Sequence, residues 1–506
     1  MKRIIPILTA FFLITGVFEK SVAQNSFFRI YGTPYEDLPS NAVQINNNCF
    51  FIRNTRVSLN DITIETRLEK VNPNNEIRES GLLNLPGYDA NIIDHIVVHD
   101  NLIYGLAIST KNLSHKFMEP SLIFTVCDTN LNVMLQKEYE LPFDSLDAAV
   151  FYSTILAHNT IVFVLQDVSY KTYIFQFDLS GNCINTAELF SDKKPIMSAI
   201  IPDRYSDGYY LLYEGQWFQE YALATFMKVD SAFNYLDHSI YKNGPDMIFN
   251  NNVNLRQVDT NFFMALTCGG RFWGNGTSYL WGSEESAVFT FDHDFKTIDS
   301  IYPDTHHMES DTMSDIVQRS GLDYLNPQNI FCVHDINFWC SFYFYPTCYD
   351  YFKVYKIDKA LNLKWLYMAG GDANYILFSI TATNDGGCFV LGQRYDYMTQ
   401  DEEWDIFFIK TDSTGLILHK SDNAPALHNA IVFPNPGSDY LSVRSGPQIF
   451  GATFELFDLN GRLVKQEIIS KQTTSFTTTD LATGTYVWRI IYKNKEVESG
   501  KWVKSL

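Results

Sequence analysis

The chain is short of positive charge. Its 506 residues hold 38 Lys and Arg against 58 Asp and Glu, a formal net charge of −20. Phosphate backbones and anionic lipid surfaces are held by clustered Lys and Arg, so nucleic acid and membrane headgroups are excluded as partners. Cysteine is sparse and scattered: the eight, at 49, 127, 183, 268, 332, 340, 348 and 388, form no CxxC pair. That spacing excludes a structural zinc site, which takes short paired ligands. Only Cys332, Cys340 and Cys348 sit close together; one disulfide there would suit an exported chain, and the other cysteines read as small buried strand residues. The apolar run over residues 4–17 falls short of the roughly 20 residues that span a bilayer as a helix. No later segment qualifies. GxSxG, HExxH, phosphate-loop and sialidase-type Asp-box motifs are all missing, which removes the chemistries they serve.

What is present starts at the N-terminus. Lys2 and Arg3 precede the apolar run, and Ser21-Val22-Ala23 supplies the small residues a signal peptidase reads, so residues 1–23 are expected to be a signal peptide. With no cysteine near the cleavage point, a lipoprotein anchor is not expected. At 46% hydrophobic and 19% charged the chain has apolar material for more than one core. Residues 429–506 hold nine Lys and Arg against seven Asp and Glu, so the rest carries −22.

A short pattern recurs through the middle of the chain. An apolar pair, one residue and another apolar residue lead into an acidic or amide turn residue, as in Phe408-Ile409-Lys410-Thr411-Asp412, Phe289-Thr290-Phe291-Asp292 and Phe175-Gln176-Phe177-Asp178. The turn positions are 72, 128, 178, 230, 292, 358 and 412, which makes seven copies with a spacing of 50 to 66 residues. Hairpin signals precede the copies, most plainly Asn384-Asp385-Gly386-Gly387 between two apolar runs. Four strands per unit at this period predict a β-propeller. Both 27–32 and 416–420 offer a fourth strand to the last unit, and one of them is surplus. An Asp opening a tight turn bonds its own backbone two residues on, so the repeated Asp is read as structural.

In such a unit the loops between the second and third strands emerge on the face opposite the tight turns, and those of the last four units are rich in aromatics. Candidate ligand-binding residues are Trp217, Trp273, Tyr279, Trp281, Trp339, Tyr397 and Trp404. Clustered Trp and Tyr near glycines suit stacking on sugar rings or anchoring a protein. The same side chains would equally pack long loops onto the strands. His306, His307, Glu309 and Asp311 would collect a cation, and the acidic residues Asp396, Asp401, Glu402, Glu403 and Asp405 would suit calcium, but neither group follows a ligand-loop pattern. No cofactor is expected, and no catalytic residue is assigned.

The tail has its own signature. Pro434-Asn435-Pro436, then Leu441-Ser442-Val443, Glu455 to Arg462 with Gly461, Gly484-Thr485-Tyr486-Val487-Trp488 and a closing Lys501-Trp502-Val503-Lys504 form an ordered series. Alternating apolar residues between Asn-Gly and Thr-Gly turns predict a small β-sandwich. The series resembles the type A C-terminal sorting domain of cargo secreted by the type IX system of diderm bacteria. That resemblance implies recognition by the type IX secretion translocon through the tail, with Pro434, Asn435, Pro436, Gly461, Gly484 and Lys504 as motif residues. The copy spanning residues 384–415 resembles the unit of bacterial exported propellers.

The expected fold is therefore all-β: a seven-bladed β-propeller followed by a small Ig-like β-sandwich. Its parts are a signal peptide over 1–23, the propeller over 24–425, a linker over 426–431 and the sorting domain over 432–506. The expected function is non-catalytic binding of a glycan or protein, outside the cell or on its outer surface. Two other readings stay open. A propeller hydrolase acting on polysaccharide would need paired carboxylates at its channel mouth, and a structural surface protein would need no ligand.

Overall fold

The computed structural model describes residues 26–504 apart from 34, 58–62, 114–116, 143, 147–148, 215–223, 242–252, 260–261, 274–279, 302–319, 337–350, 371–372, 396–403, 416–418, 421–429, 434–436, 446–449, 460, 472 and 493–494. The signal-peptide segment, the His306 to Asp311 group and most of the acidic loop before Asp405 lie outside the described residues. Every regular element among the described residues is a β-strand.

Each sequence copy forms a four-stranded antiparallel meander. Two-residue turns close several of the hairpins that open the meanders, as the hairpin signals predict: Asp100-Asn101 and His158-Asn159 take positive φ at both positions. The first two meanders share one nine-stranded sheet. The short strand Ala90–Ile92 joins them, because it pairs with Ile64 on one side and with Leu102–Thr110 on the other. The competition for the fourth place in the last meander is resolved by register. Phe27–Tyr31 runs antiparallel to Trp404–Lys410 across five residue pairs, and His419–Lys420 sits outside it in parallel.

The meanders pack face to face through apolar clusters that each draw on two neighbours. One holds Leu212 and Phe226 with Phe263 and Phe289; another brings Phe27, Phe389 and Phe408 of the last meander onto Phe51 and Val71 of the first. Cys49, Cys127, Cys332 and Cys388 are buried free thiols in these layers, whereas Cys183 is exposed; Cys340 and Cys348 lie outside the described residues.

The repeated turn explains much of this packing. The Asp178 carboxylate accepts the Asn182 N–H at 2.8 Å, Asp128 accepts Asn130 and Asn132 at 2.8 Å each, and Asp358 accepts Ala360 and Asn362 at 3.0 Å each. The residue three after the acid then adopts a left-handed φ between 58° and 81° at Asn75, Leu131, Gly181, Phe233, Phe295, Leu361 and Gly415. For Leu or Phe that conformation costs about 1–2 kcal/mol. Burial offsets it: Phe295 stacks on Phe226 of the preceding meander at 4.0 Å. Where the position is Gly, the neighbour fills the space instead. A Cβ on Gly181 would sit 2.9 Å from the Phe124 ring, and one on Gly415 2.6 Å from the Trp365 ring.

The tail folds as a three-stranded and a four-stranded sheet around Trp488, Trp502, Phe454 and Leu456. Its first strand, Ala430–Phe433, begins inside the expected linker, because Ile431 already pairs with Arg444. Gly461 completes the same turn as in the repeats, with Arg462 N–H on Asp458 at 3.0 Å and φ 77°. Lys504 donates to the Ser438 carbonyl.

Two predictions follow from these contacts. Gly415→Ala adds left-handed strain and a collision with Trp365, for a loss of roughly 2–4 kcal/mol. Gly461→Ala, with open space around it, loses only about 1 kcal/mol; urea unfolding of the two variants checks the difference. The second concerns pH. Hydrogen bonds from Asn132, Asn182 and Asn234 hold Asp128, Asp178 and Asp230 below the usual carboxylate range, and Asp358 sits at about 2 because Lys364 and Asn362 outweigh its burial. Depressed folded values stabilise above the unfolded pKa and are lost as pH falls through them. Glu69 is the reverse: burial pushes it up to about 7 despite Arg53, 2.8 Å away. A raised carboxyl costs stability as pH rises from the unfolded value near 4.3 toward 7. The melting temperature is therefore expected to peak between about pH 4 and 5, and Glu69→Gln is expected to flatten the limb above it.

Candidate functional site

The first strands of the meanders, Glu36–Ile45, Ile96–His99, Ala149–Ala157, Ile196–Pro202, Asn254–Asp259, Leu322–Asn326 and Asn374–Ala382, touch one another in a closed cycle. Among the described residues each forms a ladder with the second strand of its own meander alone, apart from one bridge between Ser320 and Ser379 and the Asn41 N–H donated to the Asp94 carbonyl at 3.1 Å. The other edge of every inner strand would then carry unpaired backbone groups. Polar side chains from the neighbouring meander supply the partners. Asn41 accepts the Ile96 N–H at 2.7 Å and donates to the Ile96 carbonyl at 3.0 Å. Gln166 does the same for Met197 N–H at 2.8 Å and Pro195 O at 3.0 Å. Asn254 receives Gly321 N–H, Gln257 receives Arg204 N–H and Asp323 receives Ala382 N–H, each at 2.8 Å. Ser379 and Thr381 bind Ala42 N–H and carbonyl at 3.1 and 2.8 Å, tying the last meander to the first.

The cycle encloses a cavity of about 520 Å³. Its described lining is mainly uncharged, with Asn41, Ser153, Thr154, Ser198, Asn254, Gln257 and Thr381 among aliphatic residues. Arg204, Arg256 and Asp323 bring the fixed charge, and Asp323 is the single carboxylate in that lining. Burial raises the Asp323 carboxyl, with Arg256, two backbone N–H groups and Arg204 opposing the rise. Two carboxylates facing each other across a cleft, as glycoside hydrolysis requires, are absent among these residues.

At the end where the inner strands begin, His95 Nε2 lies 3.0 Å from Ser320 Oγ and so spans from the second meander to the sixth. Asp94 Oδ2 approaches His95 Nδ1 at 2.8 Å, yet that nitrogen is buried without a hydrogen bond. A carboxylate on the adjacent residue approaches out of line with the ring N–H. The ring is therefore not oriented as a nucleophile's base must be, and the pair is a strut across the cavity.

The same end carries the aromatic rim. Trp404 opens its strand opposite Tyr395, with ring centres 5.4 Å apart, and the two half-buried rings flank the root of the loop between them. Trp273 and Trp281 were expected in a loop. They belong instead to the strands Phe262–Trp273 and Leu280–Phe291, a ribbon in which Phe272 faces Trp281 and Trp273 faces Leu280 in register. Aromatic residues favour extended pairing, and the paired strands carry the hairpin beyond its meander. Trp217, Tyr279, Trp339 and Tyr397 lie outside the described residues, as do Pro434, Asn435 and Pro436.

The cavity residues carried no sequence signal that the repeat could supply. Asn41, Gln166, Asn254 and Gln257 occupy different places in their copies, and only the fold brings their partners within reach.

Residues 431–505 match the family model for the secretion system C-terminal sorting domain. The tail is a type IX sorting domain. It addresses the chain for export to the cell surface or the extracellular space, and among the described residues no helix is long and apolar enough to cross a membrane. No curated protein matches the chain at a significant level. Similar solved structures include the BP39L lectin from Burkholderia pseudomallei, at 8% identity, TM-score 0.47, 76% of this chain and 98% of that one. The polysaccharide lyase Uly1 gives 8%, 0.41, 75% and 90% in the same order, and the endosialidase of phage phi92 gives 8%, 0.40, 94% and 87%. At these TM-scores the likenesses carry no weight for ligand or activity.

Gln166 offers a direct test of the side-chain clasps. Gln166→Leu strands a buried N–H and a buried carbonyl on the next inner strand, and a loss of roughly 2–4 kcal/mol in urea unfolding is expected.

Proposed function

We propose that the region between signal peptide and sorting domain is a seven-bladed propeller that works outside the cell as a non-catalytic glycan-binding protein. The blade count rests on the seven sequence copies and on the cyclic contact of their inner strands. Support for binding over hydrolysis comes chiefly from one observation, the cavity whose described lining offers a single carboxylate already engaged by a backbone N–H. Among the described lining residues Asp323 has no facing acid to share the work of bond cleavage.

The site of binding in this reading is the aromatic rim. The Trp404 and Tyr395 rings lie 5.4 Å apart at the end of their strands, and the backbone ribbon that carries Trp273 and Trp281 projects beyond its meander; aromatic residues so placed suit stacking on sugar rings. A protein ligand would use the same surface as an anchor.

A glycan array probed with the chain from Gln24 onward tests this. Specific binding is expected, weakened at least about tenfold in a Trp273→Ala/Trp281→Ala variant and in Trp404→Ala, which corresponds to the roughly 1.5 kcal/mol a stacked aromatic contributes. A chain that melts normally and binds no glycan would refute the glycan reading.

A further inference from the structure

The end of the cavity away from the aromatic rim has a different chemistry. Arg204 follows the inner strand Ile196–Pro202, Arg256 lies within Asn254–Asp259, and both line the cavity. Arg204 is held in place from two directions. Its backbone N–H donates to Gln257 Oε1 at 2.8 Å, and its guanidinium lies 5.1 Å from the centre of the Tyr324 ring. The Tyr324 hydroxyl in turn donates to the Gln257 carbonyl at 2.9 Å. Arg256 commits one nitrogen, Nη1, to the Leu255 carbonyl at 3.0 Å.

The charge at this end does not balance. Asp323 is the single carboxylate of the described lining, against two guanidinium groups. Asp203, Asp385 and Asp259 are engaged by lysines instead: Lys228 at 3.2 Å, Lys410 at 2.7 Å and Lys359 at 3.1 Å. Within the described lining the guanidinium groups outnumber the carboxylate, in a chain whose net charge is −20. Guanidinium forks held by stacking and backbone bonds present paired N–H donors at little further entropic cost, and their planar geometry fits oxyanions.

We propose that this end of the cavity binds a carboxylate or sulfate group carried by a small ligand, with Arg204 and Arg256 as its two donors. A cavity of about 520 Å³ admits a monosaccharide-sized ligand and not a nucleic acid duplex. The His95–Ser320 strut stands at the opposite end, so entry is from the side of the tight turns. This site is separate from the aromatic rim and does not depend on it.

Isothermal titration of the chain from Gln24 onward with sodium sulfate and with D-glucuronate tests the proposal, with D-glucose as the neutral control. At least one oxyanion is expected to bind, D-glucose is not, and added NaCl is expected to weaken the binding. Competition between sulfate and glucuronate shows whether one site takes both, and their relative affinities show which group it prefers. Arg204→Gln and Arg256→Gln are each expected to reduce affinity about tenfold or more, the effect of losing a charge-assisted hydrogen bond. Arg204 is exposed, so its variant should fold even if Arg256→Gln does not. No binding of either oxyanion at millimolar concentration, equal binding of D-glucose, or unchanged affinity in Arg204→Gln would overturn the assignment. The Trp273→Ala/Trp281→Ala variant separates the two sites: it should retain oxyanion binding whether or not glycan binding at the rim exists.

Discussion

An inner strand with a neighbour on one side only is the constraint on which the ring depends. Antiparallel meanders stacked face to face bury their apolar surfaces well, but each leaves the inner edge of its first strand without a ladder partner. Solvent would serve such groups without fixing anything, and the clasps from Asn41, Gln166, Asn254, Gln257 and Asp323 serve several of them directly. A clasp also does what water does not, because it fixes the spacing and register of one meander against the next. Leaving such a group unpaired costs more than forming the bond gains, so the clasps act more as a condition on assembly than as a source of net stability.

The repeated acidic turn works at the other end of each strand and toward the same result. By binding its own backbone it forces a left-handed residue three positions later, and that residue is driven into the preceding meander. Local turn chemistry thus sets an inter-unit contact. The four substituents found there, Asn, Leu, Phe and Gly, have volumes complementary to what the neighbour offers: Gly181 and Gly415 meet rings directly, while Phe295 supplies a ring of its own. A turn residue that looks purely local in sequence is therefore coupled to core packing.

This also explains what could be read from the sequence. Turn acids, hairpin signals and the order of motifs in the tail are local, and the structure reproduces them at Asp128, Asp178, Asp358 and Gly461. Which strand completes the last meander was not local. Phe27–Tyr31 wins because Phe27 and Phe28 are buried against Phe408 and Phe407, a gain that two residues at 419–420 do not match. The first strand of the tail starts within the expected linker for a similar reason: the prolines are the local signal, whereas Ala430 is buried in the tail's core. The cavity was the least legible part. Its polar residues, such as Ser153-Thr154 and Arg256-Gln257, follow no shared pattern across the copies, and periodicity assigns such residues no role.

The excess of negative charge bears on how an anion would reach the cavity. At physiological ionic strength the field of surface carboxylates is screened over about 8 Å, so most of the −20 does not act on a ligand already inside. At the proposed site, Arg204 and Arg256 would act over a few ångströms, a range over which salt screening is slight. Retention at that site would depend on the two arginines. The net negative charge disfavours large polyanions, which meet many carboxylates at once, more than it does small singly charged ligands. Selection by size and selection by charge are then made by the same arrangement.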